Sequence, residues 1–158
     1  MTKNNRITRL LLVVLMLLLS VMLMGSTMMD GEHHHELRAK LTGAAEVSGG
    51  DQDGKGQAKV TVMMDASGNH QVCWSIKVKN ITLPATAAHI HAAPAGVNGS
   101  VFVPLSPPAG DGLASGCSLI AHELAMELHM HPEQYYVNVH TTDFPVGALR
   151  GQLFLAEE

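Results

Sequence analysis

The chain has 158 residues, 14 of them acidic and 10 basic, for a formal net charge of −4 with histidines neutral. That length suits one ordinary domain and is too short for two comfortable ones. An acidic balance with no basic stripe along the sequence argues against nucleic acid and anionic lipid as partners.

The first segment is not domain material. Lys3, Arg6 and Arg9 precede an apolar run from Leu10 to Met24 broken only by Ser20. This is the charged-then-apolar plan of a secretory signal, and at 15 residues the run is short of the about 20 a spanning helix needs. Residues 1–25 are therefore expected to be a signal peptide or N-terminal membrane anchor, with Gly25-Ser26 the best small-residue cleavage candidate. Residues 26–36 follow as a linker ending in Glu32-His33-His34-His35, and 37–156 as the domain. Contact with a membrane is expected only through the first segment, and the domain is expected outside the cytoplasm: periplasmic, secreted or anchored by residues 10–24. Three basic residues belong to that segment and all the acidic ones follow it, so the remainder carries 7 − 14 = −7.

Strand signals then follow at short intervals. Residues 37–46 form a first candidate, and 51–56 are rich in Asp and Gly, as turns are. Residues 57–65 alternate Ala58, Val60, Val62 and Met64 against Lys59, Thr61 and Met63, which suits a half-buried strand. Ala66-Ser67-Gly68-Asn69 makes a hairpin turn, and 70–79 returns with strong alternation. Residues 87–92 and 101–105 are further strands, separated by a turn with Asn98-Gly99. Residues 106–116, with their prolines and glycines, read as a loop. Residues 119–130 have helical spacing, with Ser118 as N-cap and Pro132 as the stop. Residues 135–141 and 148–155 are the last two strands. About seven short strands and one brief helix predict an all-β, antiparallel immunoglobulin-like β-sandwich.

Within those strands the histidines are split into His89-Ile90-His91 and His140. Side chains alternate across a strand, so His89 and His91 share one face while Ile90 takes the other. In Tyr136-Val137-Asn138-Val139-His140 the valines take one face, and Asn138 and His140 the opposite one. Two imidazoles two residues apart on a strand lie about 7 Å apart and can span one ion. Copper and zinc both accept imidazole, and copper(II) tolerates planar nitrogen sets. Nitrogens sharing one ion at about 2.0–2.1 Å per bond would converge within about 4 Å of one another. Two other readings stay open: surface histidines that never meet, or His89 and His140 hydrogen-bonding across strands to hold loops.

His122, Met126 and His129 recur at i, i+4 and i+7, one helix face, with His131 just beyond. They are weaker metal candidates, an auxiliary capture patch for copper. Cys73 and Cys117 are the only cysteines, and in an oxidising compartment such a pair is most simply one disulfide. Cys73 lies on the less apolar face of its strand, so it is expected to tie a loop or helix across that face. A catalytic or copper-ligating thiolate is the rival reading. There is no G-x-S-x-G, no phosphate-binding glycine loop and no H-E-x-x-H.

Four blocks in order carry a family resemblance: Ala87-Ala88-His89-Ile90-His91; Pro94-Ala95-Gly96-Val97-Asn98-Gly99; Tyr135-Tyr136-Val137-Asn138-Val139-His140-Thr141; and Phe144-Pro145 with Gly147-Ala148-Leu149-Arg150-Gly151-Gln152-Leu153. Together they resemble the CHRD (chordin-type) domain, over roughly residues 37–155. Leu41 to Val47 fits the family's first strand, with Ser48 where a proline is usual. The resemblance implies an exported immunoglobulin-like sandwich and leaves activity open. The histidine arrangement is also similar to the copper side of copper–zinc superoxide dismutase, without a zinc-loop equivalent. On that likeness Arg150 is a candidate anion guide for superoxide; its alternative is a structural arginine pairing with Asp143 or loop carbonyls. The expected function is binding of a single copper ion through His89, His91 and His140, for copper handling or superoxide dismutase-like chemistry, with superoxide or an envelope protein as partner. The alternative is a metal-free extracellular module whose loops bind a protein or polysaccharide.

Overall fold

A computed structural model of the chain describes residues 35–156. The expected targeting segment, most of the linker, and His33 and His34 lie outside the described residues. Nine strands form: β1 (His35–Thr42), β2 (Lys55–Met64), β3 (His70–Lys79), β4 (Ala87–Ala92), β5 (Ser100–Leu105), β6 (Leu113–Leu119), β7 (Tyr135–His140), β8 (Leu149–Gln152) and β9 (Phe154–Leu155). Among the described residues one α-helix, α1 (His122–Met130), packs against β2 and β3. Short 3-10 turns occupy Gly43–Ala45 and Pro132–Gln134. Among these residues no helix is long and apolar enough to cross a membrane.

Hydrogen bonding joins the strands into one antiparallel sheet in the order β5-β4-β7-β8-β1-β2-β3-β6, with β9 also pairing with β1. Its two halves meet at β1, through Thr42 opposite Arg150 and through Leu37 and Arg38 opposite Leu155 and Phe154. Period-two burial builds the core. Leu37, Leu41, Val60, Val72, Ile76, Ile90, Val137, Val139 and Leu149 are all buried in a single cluster that draws on both halves. Full burial of such an aliphatic side chain contributes about 1.5–3 kcal/mol relative to exposure.

Three expectations need correction. Residues 113–119 are a strand, β6, where a loop and a helix start were expected. The cause is Gly116, which weakens any strand signal but is required here. It sits opposite Trp74, and a Cβ on it would come 2.6 Å from the indole ring. Consequently α1 starts at His122 with Ala121 as N-cap, and Ser118 belongs to the strand. Cys73 and Cys117 do form the disulfide, but they lie directly opposite each other on β3 and β6. The bond staples an edge strand to its neighbour and does not tie a loop or helix. The run 148–155 is broken at Leu153, whose N–H donates to the Tyr135 carbonyl while its side chain enters the core.

A fourth correction concerns charge. The lysines and arginines are scattered along the sequence, yet strand register gathers Arg38, Lys40, Lys55, Lys59, Lys77 and Lys79 on the outer face of β1–β3. The folded domain therefore does carry a basic stripe.

Candidate metal centre

β4 and β7 are adjacent and antiparallel, with Ala87 opposite His140, His89 opposite Asn138 and His91 opposite Tyr136. Ala88, Ile90, Val137 and Val139 are in the core, and that fixes the parity of both strands. His89, His91, Tyr136, Asn138 and His140 consequently share the outer face, joined by Arg150 and Gln152 from β8. An outer sheet face ordinarily meets water. Here Tyr136, Asn138 and Arg150 are 2%, 4% and 1% exposed, because loops fold over them.

Loop carbonyls orient two of the three imidazoles. His91 Nδ1 lies 3.0 Å from the Gly99 carbonyl and His140 Nδ1 lies 3.1 Å from that of Pro145. A carbonyl only accepts, so each Nδ1 carries the proton and each Nε2 keeps its lone pair. His91 Nε2 is buried and has no hydrogen-bond partner, an expensive arrangement for a lone pair. His140 Nε2 lies 3.3 Å from His89 Nδ1. Two bonds of about 2.0–2.1 Å at a tetrahedral angle put their nitrogens about 3.3 Å apart, so this pair is spaced for one ion. One nitrogen from each of His89, His91 and His140 falls within 4.8 Å of the others. The His89–His140 pair meets the 4 Å spacing; the full set is wider, and closing it takes rotation of an imidazole. Burial holds His89 below the ordinary histidine range, and the nearby His140 and His91 add to this. Burial also lowers His140, against the opposing pull of the Pro145 carbonyl. Both are thus biased toward the neutral form that a metal binds. The three histidines could hold a metal ion.

Around them lies a supporting layer. The Gly99 backbone serves two residues, its carbonyl accepting from His91 and its N–H donating to the Tyr136 hydroxyl. A Cβ at position 99 would collide with the Ala92 carbonyl, so glycine is needed for this approach. Tyr136 stacks on His91 with ring centroids 4.9 Å apart and planes within 6°. The Arg150 guanidinium sits 3.4 Å from the Tyr136 ring centroid and donates to the Pro94 carbonyl at 2.9 Å. Asp143 instead accepts from the Thr82 hydroxyl.

Glu46 was not singled out from the sequence. It lies beside Arg150 and Asn138, and its Oε1 is buried without a hydrogen-bond partner. Burial pushes its carboxyl up to about 7, although the Arg150 charge and a hydrogen bond with Asn138 pull the other way. Gly147 makes the room, since a Cβ there would lie 2.5 Å from Oε1. Nothing local in Ala44-Ala45-Glu46-Val47 signals such a position; only the closure of the loops creates it.

The helix histidines behave differently. His122 meets His70, the first residue of β3, with Nδ1 and Nε2 3.3 Å apart. His70 was another residue missed from sequence. His131 lies 3.8 Å from Glu133, His129 is half-buried and Met126 exposed. Among the described residues, His89, His91 and His140 are the one set in which three metal-type donors gather. A surface groove lies elsewhere, over the outer face of β1–β3 and β6.

The fold and site define an all-β antiparallel domain with a cross-strand disulfide and a histidine triad suited to a metal ion. The model of the CHRD domain matches residues 37–153, and the chain belongs to that family. No curated protein and no solved structure matches it.

Proposed function

We propose that this is an exported CHRD-domain protein that binds one copper ion through His89, His91 and His140. Its work would be copper handling or superoxide dismutase-like chemistry outside the cytoplasm. The observation that carries this reading is the buried, unpartnered Nε2 of His91 beside the closely spaced nitrogens of His89 and His140. A lone pair left idle in a buried position is costly unless something occupies it. Copper is favoured because imidazole suits it and, with zinc, it lies at the strong end of the divalent affinity order. The disulfide fits an oxidising compartment. Core residues shared by both sheet halves support a sandwich of two layers.

In this reading Arg150 clamps the loop at Pro94 and stiffens Tyr136, because a guanidinium 1% exposed has little access to an approaching anion. His122, joined by His70, serves as an auxiliary capture patch, with His129 and His131 nearby on the chain. A second reading draws on the same 3.3 Å contact: a neutral His89 donating to His140 would simply hold loops for a metal-free interaction module.

Copper stoichiometry of the full chain, measured by elemental analysis after loading and removal of loose ion, separates the two. Replacing His89 and His140 together by alanine should remove one equivalent, with the fold checked by circular dichroism. Equal stoichiometry in parent and variant would overturn the copper site. Superoxide removal by the loaded protein above the free-ion background then distinguishes catalysis from storage.

A further inference from the structure

The basic face of β1–β3 is built in rungs. Across the three strands, Arg38, Lys59 and Ser75 stand in one line, Lys40, Gln57 and Lys77 in the next, and Thr42, Lys55 and Lys79 in the third. Each rung thus carries two cations and one neutral hydroxyl or amide. Six of the seven lysines and arginines after residue 25 are here, and the seventh, Arg150, is buried. Among the outward strand positions of β1–β3 the one acidic residue is Glu36, which bonds Arg38 and Lys59.

Stability does not account for the pattern. Like charges directly opposite each other on a sheet are destabilising, yet Arg38 faces Lys59 and Lys55 faces Lys79. The face is also hollow. It forms the floor of a groove to which Leu113, Ser115 and the half-exposed Phe154 contribute. A domain with a strong acidic excess has concentrated its exposed positive charge on one face, with Arg38, Lys40, Lys59 and Lys77 lining this groove and Lys55 and Lys79 beside it.

We propose that this groove is the docking surface for an acidic polysaccharide, with Arg38, Lys40, Lys59 and Lys77 meeting its carboxylates. Ser75, Gln57 and Ser115 would meet its hydroxyl groups, and Phe154 would pack against a sugar face. Several features favour this occupant over other polyanions. The groove has one exposed aromatic, whereas single-stranded nucleic acid is held on a series of stacking rings. Its cations line a hollow, whereas a membrane surface is met by a protruding amphipathic face with apolar side chains to insert. The alternating charged and neutral polar groups match a chain of hydroxyl-bearing acids. The proposal does not depend on copper at the histidines, which lie on the other half of the sheet.

Polygalacturonate is the probe, added to the full chain in chelator-containing buffer so that no metal bridges the two. Binding should be measurable at low salt, should fall as salt rises, and should be absent with neutral dextran. Lys40→Glu with Lys77→Glu should weaken it about tenfold or more and flatten the salt dependence. Phe154→Ala should weaken it several-fold with the salt dependence unchanged. Copper stoichiometry should be the same in all of these variants, whose side chains are exposed. No binding to polygalacturonate, or equal binding by the charge-reversed variant, overturns the proposal. So does binding to phosphatidylglycerol vesicles or duplex DNA in preference to polygalacturonate.

Discussion

At the scale of single residues, the buried polar layer makes a distinctive pH signature. Histidine burial lowers His89 and His140 from 6.5, so the unfolded chain takes up protons first on acidification. Their contribution to stability is intact above pH 6.5 and is lost as pH falls below it. Glu46 acts in the opposite sense. Its carboxyl is raised from 4.5 to about 7, so the unfolded chain ionises first and stability declines as pH rises between those values. Removing the charge should abolish the decline. Glu46→Gln is expected to be more stable than the parent above pH 7 by about 1 kcal/mol, a figure reduced for partial solvent screening. It should match the parent near pH 4. Urea unfolding of the chelator-treated protein across that range is the check, and a variant no more stable than the parent at pH 8 would remove Glu46 from this account.

At the scale of elements, the strands β4 and β7 were legible because their cores were. Ala88, Ile90, Val137 and Val139 alternate cleanly, so the shared face of His89, His91 and His140 followed from chain parity alone. β6 was not legible, because Gly116 is there to let Trp74 lie flat across it, a long-range need with no local signature. Glu46 and His70 escaped notice for the same kind of reason, as loop closure and helix docking create their surroundings. The basic rungs depend wholly on register, which no linear charge count contains. The loop through Gly99 is the element on which the histidine geometry leans most. Gly99→Ala should push the backbone at position 99 away from Ala92, breaking its carbonyl's bond to His91 and its N–H bond to Tyr136 together. The expected result is copper affinity lowered about tenfold or more, in line with losses of supporting contacts at metal sites. Competition with a chromophoric chelator measures it, and unchanged affinity would show that His91 needs no such support.

At the scale of the whole molecule, one sheet presents two chemically different outer faces. On one half, loops close over Tyr136, Asn138 and Arg150 beside three half-buried histidines; on the other, six cations stand on the outer face and four of them line an open groove. Core packing between them is ordinary, and the unusual features are the costs carried on the outside: an idle imidazole nitrogen, a buried carboxyl and facing like charges. Such local conflicts mark functional positions more often than structural ones. Copper at the histidine set is the proposal on which the functional reading turns. Anomalous scattering at the copper edge from crystals of the copper-loaded full chain tests it most directly. The expected result is a peak bonded to His89, His91 and His140 at about 2.0 Å. Electron density with those imidazoles hydrogen-bonded as they are now, and copper absent or bound only elsewhere, would contradict it.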